Sequence, residues 1–100
     1  MYSLKFTSQY KKNYKLMVKR GANMKLLEEV ISTLMDGKTL DKKYKDHKLT
    51  GIFEGFRECH IQPDWLLIYL VEEEVLTLTL IATGSHSDMF NWHVVFVIYL

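Results

Sequence analysis

Four ionisable side chains fall at predicted loops or strand ends, which are common places for catalytic groups: His47, His60, Asp64 and His86. The second and third lie on either side of Pro63, which suits the first central position of a type I turn. The apolar run that follows, residues 65–71, is typical of a strand covered on both faces. Because histidine exchanges protons near neutral pH, this set is suited to acid–base catalysis.

Other kinds of site find less support in the sequence. A zinc site from the histidines and Asp64 is disfavoured, because no short ligand spacing such as HxxxH occurs. Ser85 and Ser87 lie too close to His86 to form a recognisable triad, and Cys59 has no nucleophile signature around it. We therefore predict a site without metal or cofactor.

Metal-free RNA cleavage needs a base for the ribose 2′-hydroxyl, an acid for the leaving 5′-oxygen and cations for the phosphorane. Arg57 can hold a phosphate bidentately, and Phe90 can stack on an unpaired base. Lys45 and Lys48, which flank His47, are predicted to contact RNA as well. The alternative stays open for each of them, since a loop histidine among lysines is most often an ordinary surface residue.

Composition and charge indicate one globular domain. The chain is 48% hydrophobic and 25% charged. All 13 Lys and Arg residues lie within residues 1–57, whereas residues 58–100 carry only acids. This asymmetry indicates either a basic surface for phosphates or mutual attraction between the two parts. A single cysteine, no signal-peptide pattern and no apolar run of membrane-spanning length predict a cytoplasmic protein without membrane contact.

Hydrophobic periodicity predicts an α+β fold, with an N-terminal strand and a helical hairpin packed on a mostly antiparallel sheet. The strand covers Tyr2 to Phe6, and two helices follow, capped by Thr7 or Ser8 and by Asn23 and ended by Gly21 and Gly37. Residues 38–52 are interpreted as a loop. The predicted strands after it cover 53–61, 64–71 and 75–82, with Glu72–Glu74 at the last reversal.

Three ordered motifs resemble the YafQ-type branch of the RelE-like toxins, which are the toxin halves of bacterial type II toxin–antitoxin pairs. The motifs are YKDHKLTG at 44–51, GFRECHIQPDWLLIY at 55–69 and TGSHSDMF at 83–90. The similarity runs from about residue 2 to Phe90. We therefore expect a RelE-like, microbial-ribonuclease-like domain over residues 1–90, followed by an apolar extension over 91–100, which is either a further strand or an adhesive tail.

The resemblance implies a ribosome-dependent endoribonuclease that cuts messenger RNA in the decoding site, needs no metal and leaves a 2′,3′-cyclic phosphate. The positions it implies as functional are His47, His60, Asp64, His86 and Phe90, with Arg57 matching a phosphate-binding arginine. It also implies a cognate antitoxin, and binding of operator DNA by the toxin–antitoxin complex through that antitoxin.

Two features of the sequence keep alternatives open. Alternation along a regular strand points Arg57 and His60 to opposite faces, so either a bulge intervenes or only one of them faces the RNA. Relatives of this kind usually carry a basic residue where Ala82 stands. The alternatives are a catalytically attenuated toxin that binds the ribosome or antitoxin without cutting and, less favoured by the histidine set, a ParE-like gyrase poison.

Overall fold

A computed structural model describes residues 1–88 of the chain. The elements, in chain order, are β1 Ser3–Phe6, α1 Ser8–Lys19, α2 Met24–Met35, β2 His47–Lys48, β3 Arg57–Gln62, β4 Trp65–Glu72 and β5 Thr77–Gly84. Short 3-10 turns at Lys42–Tyr44, Gly51–Phe53 and Glu73–Val75 connect some of them. No helix in residues 1–88 combines the length and apolar character needed to cross a membrane.

Both helices begin at the predicted caps. The Thr7 hydroxyl accepts a hydrogen bond from the Tyr10 N–H at 2.9 Å, and the Asn23 side chain accepts one from the Lys25 N–H at 3.3 Å. These bonds satisfy N–H groups that have no partner within a helix's first turn. Gly21, with φ +78°, follows α1 and turns the chain towards α2.

The strands form one sheet of order β1-β5-β4-β3-β2, in which β1 runs parallel to β5 and the other neighbours are antiparallel. This confirms the predicted α+β class and the mostly antiparallel sheet. The helices cover one face of the sheet, where the main core forms from side chains such as Tyr10, Leu27, Val30, Leu67 and Leu80. A second, smaller apolar cluster lies on the other face, around Ile68 and Ala82.

The interpretation of residues 38–52 as a loop was wrong at one point. His47 and Lys48 form the edge strand β2, which pairs with Glu58 and Arg57. Two residues are too few to show strand periodicity, so only the tertiary pairing reveals β2. The predicted strand 53–61 likewise starts later, at Arg57, because residues 51–55 form turns in which Gly51 and Gly55 have positive φ.

The predicted reversal at Glu72–Glu74 is confirmed, but the strand after it starts at Thr77 instead of residue 75. Leu76 adopts a left-handed conformation, φ +47°, and this ends the turn before β5 begins. Two register shifts occur further along the sheet. One lies between His60 and Gln62 in β3, and the other lies opposite Ile68 and Tyr69, where β5 has one extra residue.

A buried hydrogen-bond network fixes the end of β5. The Trp65 indole N–H donates to the Thr83 hydroxyl at 2.9 Å, and that hydroxyl donates to the Leu66 carbonyl at 2.7 Å. The Asn13 side chain of α1 accepts from the Thr83 N–H. Because each of these buried groups has a partner, the strand end that leads into residues 84–88 is held firmly.

Candidate active site

Alternation along β3 divides its side chains between the two faces of the sheet. Cys59 and Ile61 belong to the core beneath the helices. Glu58 and His60 therefore point to the opposite face, which we call the open face. His47 lies directly across from Glu58 in the β2–β3 ladder and so shares that face with it.

Glu58 lies between two imidazoles on the open face. Its Oε1 atom is 3.6 Å from Nε2 of His47 and 3.8 Å from Nε2 of His60. Nδ1 of His47 lies 2.7 Å from the carbonyl oxygen of Lys45. Because a carbonyl only accepts, Nδ1 carries a hydrogen, and Nε2 is the ring nitrogen on the side of Glu58.

A second imidazole–carboxylate pair comes from the β3–β4 turn and the end of β5. Nδ1 of His86 is 2.5 Å from Oδ1 of Asp64, and the His86 backbone N–H donates to the same oxygen at 3.1 Å. These two hydrogen bonds hold the pKa of Asp64 below its usual range. Asp64 therefore stays a carboxylate and accepts from Nδ1, which leaves Nε2 of His86 free for proton transfer.

The two pairs meet at the rings of His60 and His86, whose centroids are 5.8 Å apart in an edge-to-face arrangement. Four of the predicted residues are thus gathered on one part of the molecule from β2, β3, the β3–β4 turn and the segment after β5. Glu58, between His47 and His60, completes the group, which we call the histidine cluster (His47, Glu58, His60, Asp64 and His86).

The position of His86 depends on a helix start built by its neighbours. The Ser85 N–H donates to the Asp88 carboxylate at 2.9 Å, and the Asp88 N–H donates to the Ser85 hydroxyl at 3.2 Å, which is a reciprocal capping box. Arg20, at the end of α1, holds Asp88 bidentately at 2.7 and 3.1 Å. This guanidinium holds the pKa of Asp88 at about 2.

Glycine is required at the last position of β5. A Cβ atom added to Gly84 would lie 2.6 Å from Oδ2 of Asp88, closer than any side chain could approach. The glycine of the TGSHSDMF motif therefore allows the Asp88 carboxylate to pack against the end of β5. This packing positions the segment in which His86 contacts Asp64.

Arg57 does not join the histidine cluster. The register shift in β3 comes after His60, so Arg57 and His60 point to opposite faces. The Arg57 guanidinium binds the Asp46 carboxylate at 2.8 Å, and the Tyr69 hydroxyl donates to that same carboxylate. The hydrogen bond with Asp46 raises the pKa of Arg57 further. Its contacts are those of an arginine that fixes the segment before β2, and its predicted RNA contact stays a prediction.

The remaining predicted RNA-binding residues differ in position. Lys45 and Lys48 are both exposed; Lys45 has φ +49° and supplies the carbonyl that orients His47. Lys48 pairs with Arg57 and therefore shares its face. Phe90, residues 91–100 and the domain boundary predicted at residue 90 lie outside the described residues.

Ala82 is fully buried on the open face of the sheet. It lies across from Ile68 in the β4–β5 ladder, and these two side chains pack with Leu49, Phe56 and Ile81. The position at which the motif resemblance leads us to expect a basic residue is therefore occupied by a small side chain that packs in an apolar cluster.

Sequence reasoning missed Glu58. It has the spacing that places it on the face of His60, two residues away on one strand, but it was not considered as a partner for the histidines. Its role depends on His47, which reaches it only through β2. β2, the short strand that was not predicted, is thus the element that brings His47 to Glu58.

Two other chemistries receive no support from the described part of the chain. Within residues 1–88, no three or more His, Cys, Asp or Glu side chains are grouped closely enough to hold a metal ion. Burial raises the pKa of the Cys59 thiol to about 12, so its thiolate, the nucleophilic form, is scarce at neutral pH.

A family model of bacterial toxins of type II toxin–antitoxin systems, YafQ, matches residues 2–91. This chain belongs to the YafQ family of toxins. The mRNA interferase toxin YafQ of Escherichia coli strain K12 is 35% identical to it over 89 residues, which are 88% of this chain and 95% of that protein.

Solved structures of YafQ toxins and related proteins share the fold. YafQ in the DinJ–YafQ complex of E. coli superimposes with a TM-score of 0.83 at 32% identity, over 90% of this chain and 99% of that one. A metal-bound toxin from Helicobacter pylori gives the same TM-score at 41% identity, over 88% of this chain and 98% of that one. The RelE-like architecture expected from the sequence motifs is thereby confirmed.

Proposed function

We propose that this YafQ-family toxin is an mRNA interferase that acts in the cytoplasm. It enters the decoding site of translating ribosomes, cuts the message there and so stops translation. Membership in the YafQ family supports this, as does the relative from E. coli that is named an mRNA interferase.

The observation that carries the proposal is the histidine cluster itself. Residues from four different segments bring three imidazoles and two carboxylates together in one part of the molecule. Imidazoles serve as both general bases and general acids near neutral pH. Such a site suits a reaction that removes one proton and delivers another, as ribose-assisted cleavage of a phosphodiester does.

In the proposed reaction, His60 and His86 divide the two proton transfers. One imidazole takes the proton of the ribose 2′-hydroxyl while the 2′-oxygen attacks the adjacent phosphorus. The other, as an imidazolium, gives a proton to the departing 5′-oxygen. The products are a 2′,3′-cyclic phosphate and a 5′-hydroxyl. The ring separation of 5.8 Å brings both imidazoles within reach of one phosphate that lies against the two rings.

The other members of the cluster orient these two groups. Asp64 fixes the ring of His86 through Nδ1, and Glu58 provides a negative charge between His47 and His60. His47 takes part in the proton-transfer set from the neighbouring strand. Lys45 is the exposed cation next to it, and we expect its ammonium to contact RNA. The contacts predicted for Lys48, Arg57 and Phe90 remain predictions.

A cognate antitoxin is part of the proposal. The related E. coli toxin has been solved in complex with DinJ, and this chain covers nearly all of that toxin. We infer that an antitoxin of its own binds this toxin and silences it, and that the complex binds operator DNA through the antitoxin.

The test is cleavage of a defined message on programmed ribosomes, mapped by primer extension, with a chelator selective for transition metals. The wild-type protein is expected to give discrete cuts within codons in the decoding site. His86→Ala should lower the cleavage rate by about 10² to 10⁴, the usual contribution of a general acid or base. Ser87→Ala, a change at the exposed neighbour, is the control and should cut normally.

Unchanged cleavage by His86→Ala, with a far-ultraviolet spectrum and melting temperature like those of the wild type, would refute the assignment of His86. Ribosome arrest with an uncut message would refute the nuclease proposal itself. It would then favour a toxin that blocks the decoding site without cutting.

Ala82 supports a second candidate, a toxin of the same kind with attenuated cleavage. A lost cation that faces the phosphorane would cost about 3 kcal/mol of transition-state stabilisation, by analogy with lost oxyanion donors. Ala82→Arg should then raise the cleavage rate, and Ala82→Leu, which adds bulk without charge, is the control. Because Ala82 is buried with Ile68, the gain requires the guanidinium to reach past that cluster. No gain from a folded Ala82→Arg variant would count against attenuation.

A further inference from the structure

A pocket of about 370 Å³ adjoins the histidine cluster at the far end of β3. His60 forms part of its wall, so the pocket opens directly beside a proposed proton-transfer group. Apolar surface comes from Leu26 of α2 and from Ile61, and the ring of Tyr44 adds a flat side. Its size falls within the usual range of small-molecule pockets.

The pocket exists because β2 is so short. β2 pairs only with Glu58 and Arg57, so in the described residues the rest of β3 has no strand on the edge that faces away from β4. The 3-10 turn Lys42–Tyr44 lies there instead, with Asp41 as its cap at 2.9 Å from the Lys43 N–H. A turn cannot cover the strand edge as closely as another strand would, and a recess remains.

The groups that line the pocket favour a flat, anionic ligand. The Lys43 ammonium lies 5.1 Å from the centre of the Tyr44 ring, and Lys45 is a second cation at the rim. No Asp or Glu is among the residues that line it. An aromatic ring flanked by lysines is the usual surface for an unpaired base and its phosphate.

We propose that this pocket is the subsite for the nucleotide next to the scissile phosphate, and that Gln62 reads the edge of its base. The inference rests on the proposed nuclease function. His60 is shared by the pocket and the histidine cluster, so a nucleotide bound there lies next to a phosphate that contacts both imidazoles. The exposed Gln62 amide offers both a donor and an acceptor, which a base edge needs for recognition.

This assignment makes the pocket a source of sequence preference. A side-chain amide that pairs with one base distinguishes it from the others by about 10- to 100-fold in rate. Removal of the amide should therefore slow cutting at preferred sites and leave cutting at poor sites nearly unchanged. An acidic peptide, such as part of an antitoxin, also has the charge to enter the pocket, but it would give no preference among messages.

The experiment compares cut-site profiles of the wild type and Gln62→Leu on ribosomes translating a message that contains every sense codon. The variant is expected to lose about 10- to 100-fold at the preferred codons, so that the profile flattens. Gln9→Leu, a matched change on α1, should keep the wild-type profile. A Gln62→Leu profile that matches the wild type, or a uniform loss at all codons, would overturn the subsite.

A binding measurement separates failure of the subsite from failure of the proposed function. The protein is titrated in turn with trinucleotides of each single base whose 2′-hydroxyls are replaced by hydrogen, and backbone amide shifts are followed by nuclear magnetic resonance. Shifts at Tyr44 and Gln62 support the subsite even if the wild type fails to cut messages. Normal cutting with shifts confined to residues outside the pocket would refute the subsite and leave the nuclease intact. Shifts at the pocket with an acidic peptide but not with any trinucleotide would assign the pocket to a protein partner.

Discussion

The two carboxylates of the histidine cluster are held in opposite ways. Glu58 projects from β3 at a point where β2 and β4 pair with it on both sides, its side chain is only 11% exposed, and its oxygen lies 3.6 and 3.8 Å from two imidazoles. Asp64 projects from a turn, its side chain is 72% exposed, and its oxygen lies 2.5 Å from one imidazole. The buried carboxylate of Glu58 lies near two imidazoles at longer distances, whereas the exposed carboxylate of Asp64 contacts one imidazole closely.

The difference follows from where each carboxylate is attached. A residue on a central part of a strand is positioned by the sheet, so its side chain can be buried but cannot move to improve a contact. A residue in a turn can approach its partner closely, and the partner's backbone N–H adds a second bond. The more buried carboxylate is therefore the one farther from its imidazoles, and the more exposed carboxylate is the closer one. Mutation of each carboxylate shows whether burial or distance contributes more to catalysis.

Among the carboxylate variants, the largest effect is expected for Asp64→Asn. The amide keeps the shape of the side chain but loses the charge that fixes the Nδ1–H tautomer of His86, so the rate should fall by about 100-fold. Single-turnover cleavage on programmed ribosomes measures it. Asp36→Asn, at an exposed carboxylate that follows α2, serves as the control for the loss of one charge.

A smaller effect is expected for Glu58→Gln, about 10-fold in the same assay, because 3.6 and 3.8 Å are too long for direct hydrogen bonds and leave mainly a charge effect. Glu54→Gln, at an exposed position before β3, is the control. A larger loss of cleavage rate for Glu58→Gln than for Asp64→Asn would contradict this expectation. It would show that the burial of a carboxylate, and not its distance from the imidazole, determines its contribution to catalysis.

The smallest effect on cleavage is expected for Asp88→Asn, which acts on the support of His86 and not on the cluster itself. The pKa of Asp88 is lowered from 3.8 to about 2, so its pairing with Arg20 adds stability above pH 3.8 that is lost as the pH falls through about 2. The variant should be less stable by about 1 kcal/mol at pH 7, a modest value because Arg20 is partly exposed to solvent.

That difference should vanish near pH 2, and urea unfolding at several pH values measures it. Cleavage should fall only severalfold. A stability difference that persists unchanged down to pH 2 would show that the ion pair is not its source. A loss of cleavage as large as that of Asp64→Asn would place Asp88 among the groups that act on the reaction.

Much of the site was predictable from residue types and local patterns. His60 and Asp64 were recognisable because a proline turn stood between them, and both helix caps could be identified from single residues. His47 and His86 were recognisable as histidines in predicted loops, and the motif resemblance then implied a functional role for all four residues. What local patterns could not predict was β2, since a strand of two residues exists only through its partner.

Arg57 shows how much the alternation of side chains along a strand can predict about the face on which a residue lies. The sequence predicts opposite faces for Arg57 and His60 on a regular strand, but a bulge between them would reverse that conclusion. The register shift lies one step beyond His60, at the turn, so the regular alternation holds. Asp46, which binds Arg57, is brought there only by the β2–β3 pairing.

The amino-acid sequence by itself determined the class of fold, the caps of the helices and the residue types of the site, because these depend on periodicity and local chemistry. Only the tertiary structure decided which of those residues meet. His47, Glu58 and His60 share a face through strand register, and His86 reaches Asp64 through a capping box fastened by Arg20. The β1–β5 register and the Thr7–Ile81 hydrogen bond join residues 74 apart in the chain, the Arg20–Asp88 ion pair joins residues 68 apart, and no local pattern specifies such contacts.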